Sequence, residues 1–600
     1  MARLSPAAPL PSPAVVPSLD MVQQKRQVLV KSLVRRAAAA LVLAAIALPA
    51  PLVAQSGTGG YLAGRHALFE SDFDQAASYF TRALSRDPGN AGLMENVIVS
   101  QLALGRIQRA LPVAEKMEAD GLRNQAARMV IAADRIKRGE FAPFLEADND
   151  AGGIGPLVDG LLAGWAYMGT GSVAQALERF DQVAKENGLR SFALYHKALA
   201  LAMVGDFEGA EALYADRRSG LSGLSRRAVI ARAQILSQLG RNDEALEMMT
   251  DAFGAGFDPG LTAVADQLAA GGQLPFDLVG DVSDGMAEVF FSVGAALKGE
   301  AADDYALIYV RIASYLRPDH IDALLLSADL LDGLGQYDLA VETYKQVPVG
   351  SPDRHAAELG RADALRRADK PNAAIEVLEQ LARDYPTLPM VHNALGDLLR
   401  QQEDYKGAVA AYDKALEYTE EGAPSQWFIL YARGISHERL DQWPEAEADF
   451  RRALELNPDQ PQVLNYLGYS LVEKQEKLDE ALDMIERAVA ARPDSGFIVD
   501  SLGWVLFRLG RYQEAVSHME TAVELMPVDP VVTDHLGDVY WAVGRQREAE
   551  FQWRRALSFI DLDDADGEAD PDRIRRKLAV GLDTVLAEEG AAPLKVANGD

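Results

Sequence analysis

Apolar residues recur along this chain at helical spacing, and the whole pattern repeats roughly every 34 residues. DSLGWVLFRLGRYQEA (Asp500–Ala515) shows one unit. With Gly503 at position 8 of the unit, Leu502 is position 7, Leu506 is 11, Gly510 is 15, Ala515 is 20, Met519 is 24, Ala522 is 27 and Pro527 is 32. The next unit supplies Leu536, Gly537, Tyr540, Gly544, Ala549, Trp553 and Ala556 at the same places, and an earlier one Gly434, Trp443, Ala446, Phe450, Ala453 and Pro458. Positions 4, 7, 8 and 11 share one stripe of a first helix, and 20, 24, 27 and 28 one stripe of a second. Small residues at 8, 20 and 27 remove bulk where the two helices cross: Gly64, Ala76 and Ala83 in the first unit, Gly468 and Ala481 in a later one. A larger side chain at Ala515 should overpack that crossing. Position 15 lies in the turn, and proline at 32 cannot continue the second helix.

Thirteen helix pairs fit this spacing, starting near residues 57, 91, 157, 191, 226, 287, 321, 355, 389, 427, 461, 496 and 530. The pair at 461 carries one extra residue in its turn. A degenerate fourteenth occupies 125–156, where EADNDAGGIGP (Glu146–Pro156) breaks the second helix. The predicted organisation is an N-terminal array over 57–258, an irregular Gly- and Pro-punctuated spacer over 259–286, and a C-terminal array over 287–560. An acidic linker (561–572), a capping helix (573–589) and a disordered tail (590–600) follow. Ile574, Leu578, Leu582, Val585 and Leu586 share one face of that cap and should cover the apolar end of the last pair.

The N-terminus reads as an address. KRQVLVKSLVRR (Lys25–Arg36) is basic, AAAALVLAAIAL (Ala37–Leu48) is apolar, and PAPLVAQ (Pro49–Gln55) offers a small-residue cleavage site after Ala54. The apolar run is too short to span a bilayer and is broken by Pro49 and Pro51. Residues 21–54 are therefore expected to be a signal peptide that delivers the chain to a periplasm, with an uncleaved anchor as the alternative. Residues 1–20 read as a non-native or disordered extension ahead of Met21. The net charge of −30 disfavours nucleic acid and anionic membrane surfaces as partners. The absence of cysteine excludes disulfides, Cys-ligated metals, a thiol nucleophile and a lipid-modified N-terminal cysteine.

Catalytic motifs fail one by one. HERLD (His437–Asp441) lacks the second histidine of a zinc-protease helix, no Gly-Lys dipeptide exists for a phosphate loop, and GLSGL (Gly220–Leu224) has the wrong spacing for a nucleophile elbow. GTGS (Gly169–Ser172) falls in an inter-helix turn with no strand before it. The run Asp561–Asp570 fits a calcium loop poorly, placing Leu562 and Arg573 where carboxylates are needed. Neither catalytic residue nor cofactor nor metal site is expected.

The Leu-Gly, Ala, Phe, Ala and Pro spacing resembles the tetratricopeptide repeat over about residues 57–559. That resemblance implies an all-α fold: an α-solenoid, wound as a right-handed superhelix, of 13–14 helix-turn-helix repeats with a C-terminal capping helix. It also implies that first-helix positions 2, 5, 9, 12 and 13 line a concave groove. Trp165 and Trp504 (position 9) and Trp541 (position 12) would then face the groove, Trp443 and Trp553 would pack, and Trp427 would sit at a repeat junction. Tyr431, Arg439, Asn465, Tyr469, Asp500, Phe507 and Arg508 occupy further groove positions, so Tyr431, Tyr469, Trp504, Phe507, Arg508 and Trp541 are the candidate contact residues. Position 5 is never lysine in the late repeats, which speaks against a clamp for acidic peptide termini. The last hundred residues resemble proteobacterial exported members of this family, one type of which is a lipoprotein partner of a periplasmic carboxyl-terminal processing protease. The resemblance implies a non-catalytic scaffold of the cell envelope whose partners are proteins, a processing protease or peptidoglycan hydrolase among them. The alternative is a constitutive subunit of an envelope polysaccharide or secretion assembly. Lipid anchoring does not carry over, because no cysteine follows the signal.

Overall fold

The computed structural model describes residues 57–145, 153–221, 225–254, 256–560, 569–591 and 594. The expected N-terminal extension and signal, most of the acidic linker and most of the tail lie outside the described residues. Among the described residues there are thirty α-helices and no strand. All thirteen expected pairs form, from Gly57–Phe69 with Phe73–Leu84 to Pro530–Ala542 with Gln546–Phe559. In the degenerate unit Gln125–Lys137 stands alone, followed by a short 3₁₀ turn, Ala142–Phe144.

Within a pair, the glycine at position 8 lies against the large side chain at position 24. A Cβ on Gly434 would come within 2.7 Å of the Phe450 ring, on Gly64 within 2.8 Å of Phe80, and on Gly396 within 2.6 Å of Tyr412. Met519 plays the ring's part opposite Gly503, and Trp553 opposite Gly537. Gly468 instead faces Ile485 and the Ala481 carbonyl. Ala76, Ala446, Ala453, Ala481, Ala515, Ala522, Ala549 and Ala556 are fully buried and Ala83 nearly so, closing the crossing from the second helix.

Helix starts follow local chemistry. Asp72, Asn90, Asp206 and Asp404 accept a hydrogen bond from the backbone three residues on, and Pro389, Pro461 and Pro530 stand at the first helical position, where their missing N–H is not needed. In every pair but the one at 287 the turn places position 15 in the left-handed region. Glycine fills it at 105, 171, 205, 240, 335, 510 and 544, but Ser71, Asp369, Glu403, Asp441 and Gln475 hold the same conformation with a side chain. The extra residue of the pair at 461 adds a second left-handed residue, Lys477.

The helices form two compact units, Leu52–Thr387 and Leu388–Asp600. The expected break at 259–286 therefore does not separate units. It also contains a helix, Pro259–Ala269, capped by Asp258 and packed on Asn242–Phe253. The first helix of the next pair, Val282–Leu297, begins five residues earlier than expected. The expected single capping helix is two, Pro571–Val580 and Leu582–Glu588. Gly581 breaks it at a φ of 83°, where a Cβ would collide with the Trp541 ring.

A left-handed glutamate is strained by about 1–2 kcal/mol, and glycine loses roughly 0.5–1 kcal/mol more backbone entropy on folding. Glu403→Gly is thus expected to leave stability unchanged or raise it by up to about 1 kcal/mol, whereas Gly510→Glu lowers it by a similar amount or more; urea titration of both variants checks the opposite signs.

Candidate functional site

In the unit Leu52–Thr387 the first-helix rows of the repeats from 91 to 226 are already occupied by the chain itself. After Pro259–Ala269 the backbone runs extended along Arg226–Gln238, whose groove positions 2, 9, 12 and 13 are Arg227, Gln234, Ser237 and Gln238. These four side chains read the passing main chain. The Leu274 N–H donates to Ser237 Oγ at 2.8 Å, Gln238 Nε2 donates to the Leu274 carbonyl, the Asp277 N–H donates to Gln234 Oε1 at 3.3 Å, and Arg227 Nη2 reaches the Leu278 carbonyl at 3.4 Å. Gln234 Nε2 also donates to Asp277 Oδ1 at 2.7 Å.

The two helices that follow continue along the same rows. Val282–Leu297 packs on Pro156–Gly169 and Arg190–Met203, and Asp303–Leu316 packs on Ala91–Ala103 and Gln125–Lys137. Gly285 seats directly on the Trp165 ring. Trp165, expected to face an open groove, is fully buried, and its Nε1 donates to His196 Nδ1 at 3.1 Å. The opposite nitrogen of His196 therefore carries the proton and donates to Ser292 Oγ, 3.1 Å away. At the far end Arg311 donates to the Ala103 carbonyl at 3.1 Å and Lys137 to the Leu316 carbonyl at 3.0 Å.

Glu288 locks this packing. Its carboxylate is buried and takes Arg227 Nε at 2.7 Å, the Tyr195 hydroxyl at 2.8 Å and His320 Nε2 at 3.3 Å, while Arg227 also pairs with Asp322 at 2.7 Å. Burial alone would push the Glu288 carboxyl up, but the Arg227 guanidinium and the His320 N–H overcome it and hold the group well below the usual carboxylate range. Burial, with Glu288 alongside, pushes the Tyr195 hydroxyl far up. His196 is pushed down to about 4 by burial, and His320 is lowered by burial and the nearby Arg227 charge.

In the unit Leu388–Asp600 the groove positions are linked from repeat to repeat. Trp504 is half-buried, stacked between Phe507 (ring centroids 5.0 Å apart) and His535 (4.0 Å), with its Nε1 donating to Glu473 at 3.2 Å. Arg508 is exposed and pairs with the same Glu473 at 2.7 Å. His535 pairs with Asp500 at 3.0 Å; burial disfavours its charge, but the Asp500 carboxylate outweighs this and raises its pKa. Phe507 is buried and is a packing residue rather than a contact. Trp541 is half-buried beneath the terminal helices, with Nε1 donating to Asp583 at 2.8 Å and Gly581 against its ring, so it too is covered. Tyr431, half-buried, meets the edges of Phe450 and Tyr466, and Tyr469 is half-buried. Sequence reasoning missed Met390 and Phe428, both at position 2 and 48 % and 43 % exposed; position 2 was open to inspection in every repeat.

The cap reaches into positions 5 and 9 of the last repeat. Lys577 is completely buried and donates to Asp534 at 2.7 Å and Asp538 at 2.7 Å, and Asp538 also accepts Trp553 Nε1 at 2.8 Å. Burial raises the Asp534 carboxyl against the pull of Lys577. No group of His, Asp and Glu among the described residues could hold a metal, and no helix among them is long and apolar enough to cross a membrane.

Sequence models of the tetratricopeptide repeat match residues 61–124, 161–222, 226–249, 322–349, 359–425, 431–496 and 473–530, together more than half of the chain. The chain belongs to the tetratricopeptide-repeat family. Proteins of this kind generally mediate protein–protein interactions. A TPR repeat-containing protein of Pseudomonas aeruginosa, PA4667, is 27 % identical over 173 residues, 29 % of this chain and 28 % of that protein. The human protein O-mannosyl-transferase TMTC1 is 23 % identical over 168 residues, 28 % of this chain and 19 % of that one. The chain thus spans under a third of the length of either relative. Among solved structures, the APC/C hetero-tetramer Cut9-Hcn1 is 14 % identical with a TM-score of 0.36, covering 88 % of this chain and 97 % of the other. Yeast Tom70 is 12 % identical with a TM-score of 0.33, covering 89 % and 98 %.

Two expectations follow for tetratricopeptide packing in this chain. Because His196 titrates near 6.5 when unfolded and about 4 when folded, its contribution is complete above pH 6.5 and falls as pH drops to about 4; between pH 7 and 5 it removes about 2 kcal/mol. His320 acts with the same sign, and Glu288 extends the loss below the ordinary carboxylate range. Urea midpoints of the full chain should fall over this window, and His196→Gln should flatten the slope. Lys577→Met strands Asp534 and Asp538 in the interior and should destabilise the end of the Leu388–Asp600 unit by about 3–5 kcal/mol, seen as early proteolysis after residue 560.

Proposed function

We propose that this chain is an exported, non-catalytic scaffold that captures partner proteins on the first-helix face of the unit Leu388–Asp600. The observation that carries this reading is the contrast between the two units. Residues 272–316 fill the rows of repeats 91 to 226, leaving no vacancy there for another protein. The rows of repeats 389 to 496 instead keep Met390 and Phe428 exposed and Tyr431, Tyr469 and Arg439 half-buried. Aromatic residues, methionine and arginine clustered on one wall are the side chains that carry most binding energy in protein interfaces.

Export is supported by the basic stretch Lys25–Arg36, the apolar stretch Ala37–Leu48 and the small-residue site at Ala54. A chain without cysteine suits an oxidising compartment. The resemblance of the C-terminal repeats to exported envelope proteins points to a processing protease or peptidoglycan hydrolase as the captured class.

Affinity capture from an envelope extract tests the reading, with the chain starting at Gln55 compared against Phe428→Ala/Tyr469→Ala. One or more proteins are expected to be retained by the first and lost from the second. Identical sets of captured proteins would remove this face from consideration, and cell fractionation that leaves the chain in the cytoplasm would remove export.

A further inference from the structure

We infer that the outer face of the first helix, Gly57–Phe69, is an interface between two copies of this chain, paired about a two-fold axis. The inference rests on the export reading above, because cleavage after Ala54 leaves only Gln55 and Ser56 ahead of that helix.

Along the array the second helix of one pair packs on the first helix of the next, as Phe73–Leu84 does on Ala91–Ala103 and Tyr512–Leu525 on Pro530–Ala542. At such junctions positions 6 and 10 are buried: Ala432 and Ser436, Tyr466 and Ser470, and Ser501 and Val505 are each at most 7 % exposed. Among the described residues no second helix precedes the first repeat. Its position 6 is Leu62, 61 % exposed, its position 10 is the exposed His66, and Phe69, one turn on, is 84 % exposed. These three stand four and three residues apart, the spacing of a seam against one partner helix. Arg65, beside them, donates to the Tyr61 hydroxyl at 3.3 Å and so leans along its own helix. A solenoid needs a cover at each terminus. The last repeat has one in the two terminal helices, whereas the first presents an apolar stripe.

Three features select a second copy as the cover. Gly57–Phe69 carries no acidic residue in a chain of net charge −30, so two copies meet here with less repulsion than on an acidic face. The stripe is self-complementary: with the helices antiparallel about an axis beside His66, Leu62 of each copy packs on Phe69 of the other. The same arrangement brings the exposed Glu70 to the first turn of the opposite helix, where free N–H groups favour a carboxylate. A cover supplied by some other protein would leave Leu62 and Phe69 bare whenever that protein is absent.

A contact of one helix per copy lies at the small end of specific interfaces, so sedimentation velocity of the chain starting at Gln55 should span about 1 to 200 μM. A dimer is expected, with its dissociation constant raised roughly tenfold or more by Leu62→Glu/Phe69→Glu. Both side chains stand in solvent on the single chain, so that variant should keep its helical content. Because the chain has no cysteine, His66→Cys supplies one thiol per copy beside the axis and should oxidise to a disulfide-linked dimer. Phe551→Cys, exposed in the other unit, should stay uncrosslinked under the same oxidation. A monomer across the whole range, a dimer indifferent to Leu62→Glu/Phe69→Glu, or equal cross-linking of the two cysteine variants would overturn the inference. So would a monomer that holds a different envelope protein through Leu62 and Phe69. N-terminal sequencing of the chain recovered from cells separates the two readings. A start ahead of Gln55 removes the cleavage on which both rest, whereas a monomer that starts at Gln55 removes only the pairing.

Discussion

Everything in this chain depends on how closely the two helices of each pair approach. Glycine at position 8 lets a ring or methionine from position 24 lie on bare backbone, and the alanines at 20 and 27 complete a contact with no room for another methyl group. This is why so few residue identities define the repeat while the rest vary freely. It also explains the left-handed residue at position 15. The closer the two axes lie, the tighter the reversal between them, and five repeats tolerate the strain of a side chain there rather than give up the geometry.

From one pair design the chain builds two units with different internal economies. In Leu52–Thr387 the rows facing inward are filled by an extended stretch and two helices, and a carboxylate, a guanidinium, a tyrosine and a histidine bind this filling to its walls. Buried ionic groups of this kind add little net stability over apolar packing, but removing one partner is severe, so the arrangement fixes one register for the filling. In Leu388–Asp600 the later rows pair between neighbouring repeats, Trp504 and Arg508 with Glu473 and His535 with Asp500, and the last repeat receives an insert, the lysine of the cap. The two solutions answer one problem: a first-helix row carries polar groups that must be paired with something.

Much of this was legible in the sequence. Period, pair boundaries and the small residues of the crossing follow from spacing alone, because they express contacts within one repeat. What escaped was long-range. Trp165 sits at a groove position by its number in the repeat, yet nothing near it announces that Gly285, far along the chain, will cover it. A signal existed in VSDGMAEVFFSVGAAL (Val282–Leu297), where apart from Ser283 and the stripe of Asp284, Glu288 and Ser292 the faces are apolar or glycine, more than a helix laid on a surface would carry. The glycines and prolines of the spacer read as irregular, but they mark an extended stretch equally well when side chains from elsewhere supply its hydrogen bonds. For the candidate contacts, Phe507 and Trp541 were misplaced because period assigns a face but not what a neighbouring helix or the broken cap lays over it.

The filling of the first unit also bears on how the chain acquires its structure. Repeat arrays ordinarily grow by neighbour contacts and can settle one pair at a time from either end. Here the walls built by residues 91–253 close on segments that leave the ribosome well after them, as the bond from Arg311 back to Ala103 shows. Such distant partners carry a large loop-closure penalty before they contribute anything. The early repeats must therefore remain unfinished, with apolar faces such as that of Trp165 uncovered, until residue 316 is available. A chain with this wiring completes its first unit in one late step rather than pair by pair.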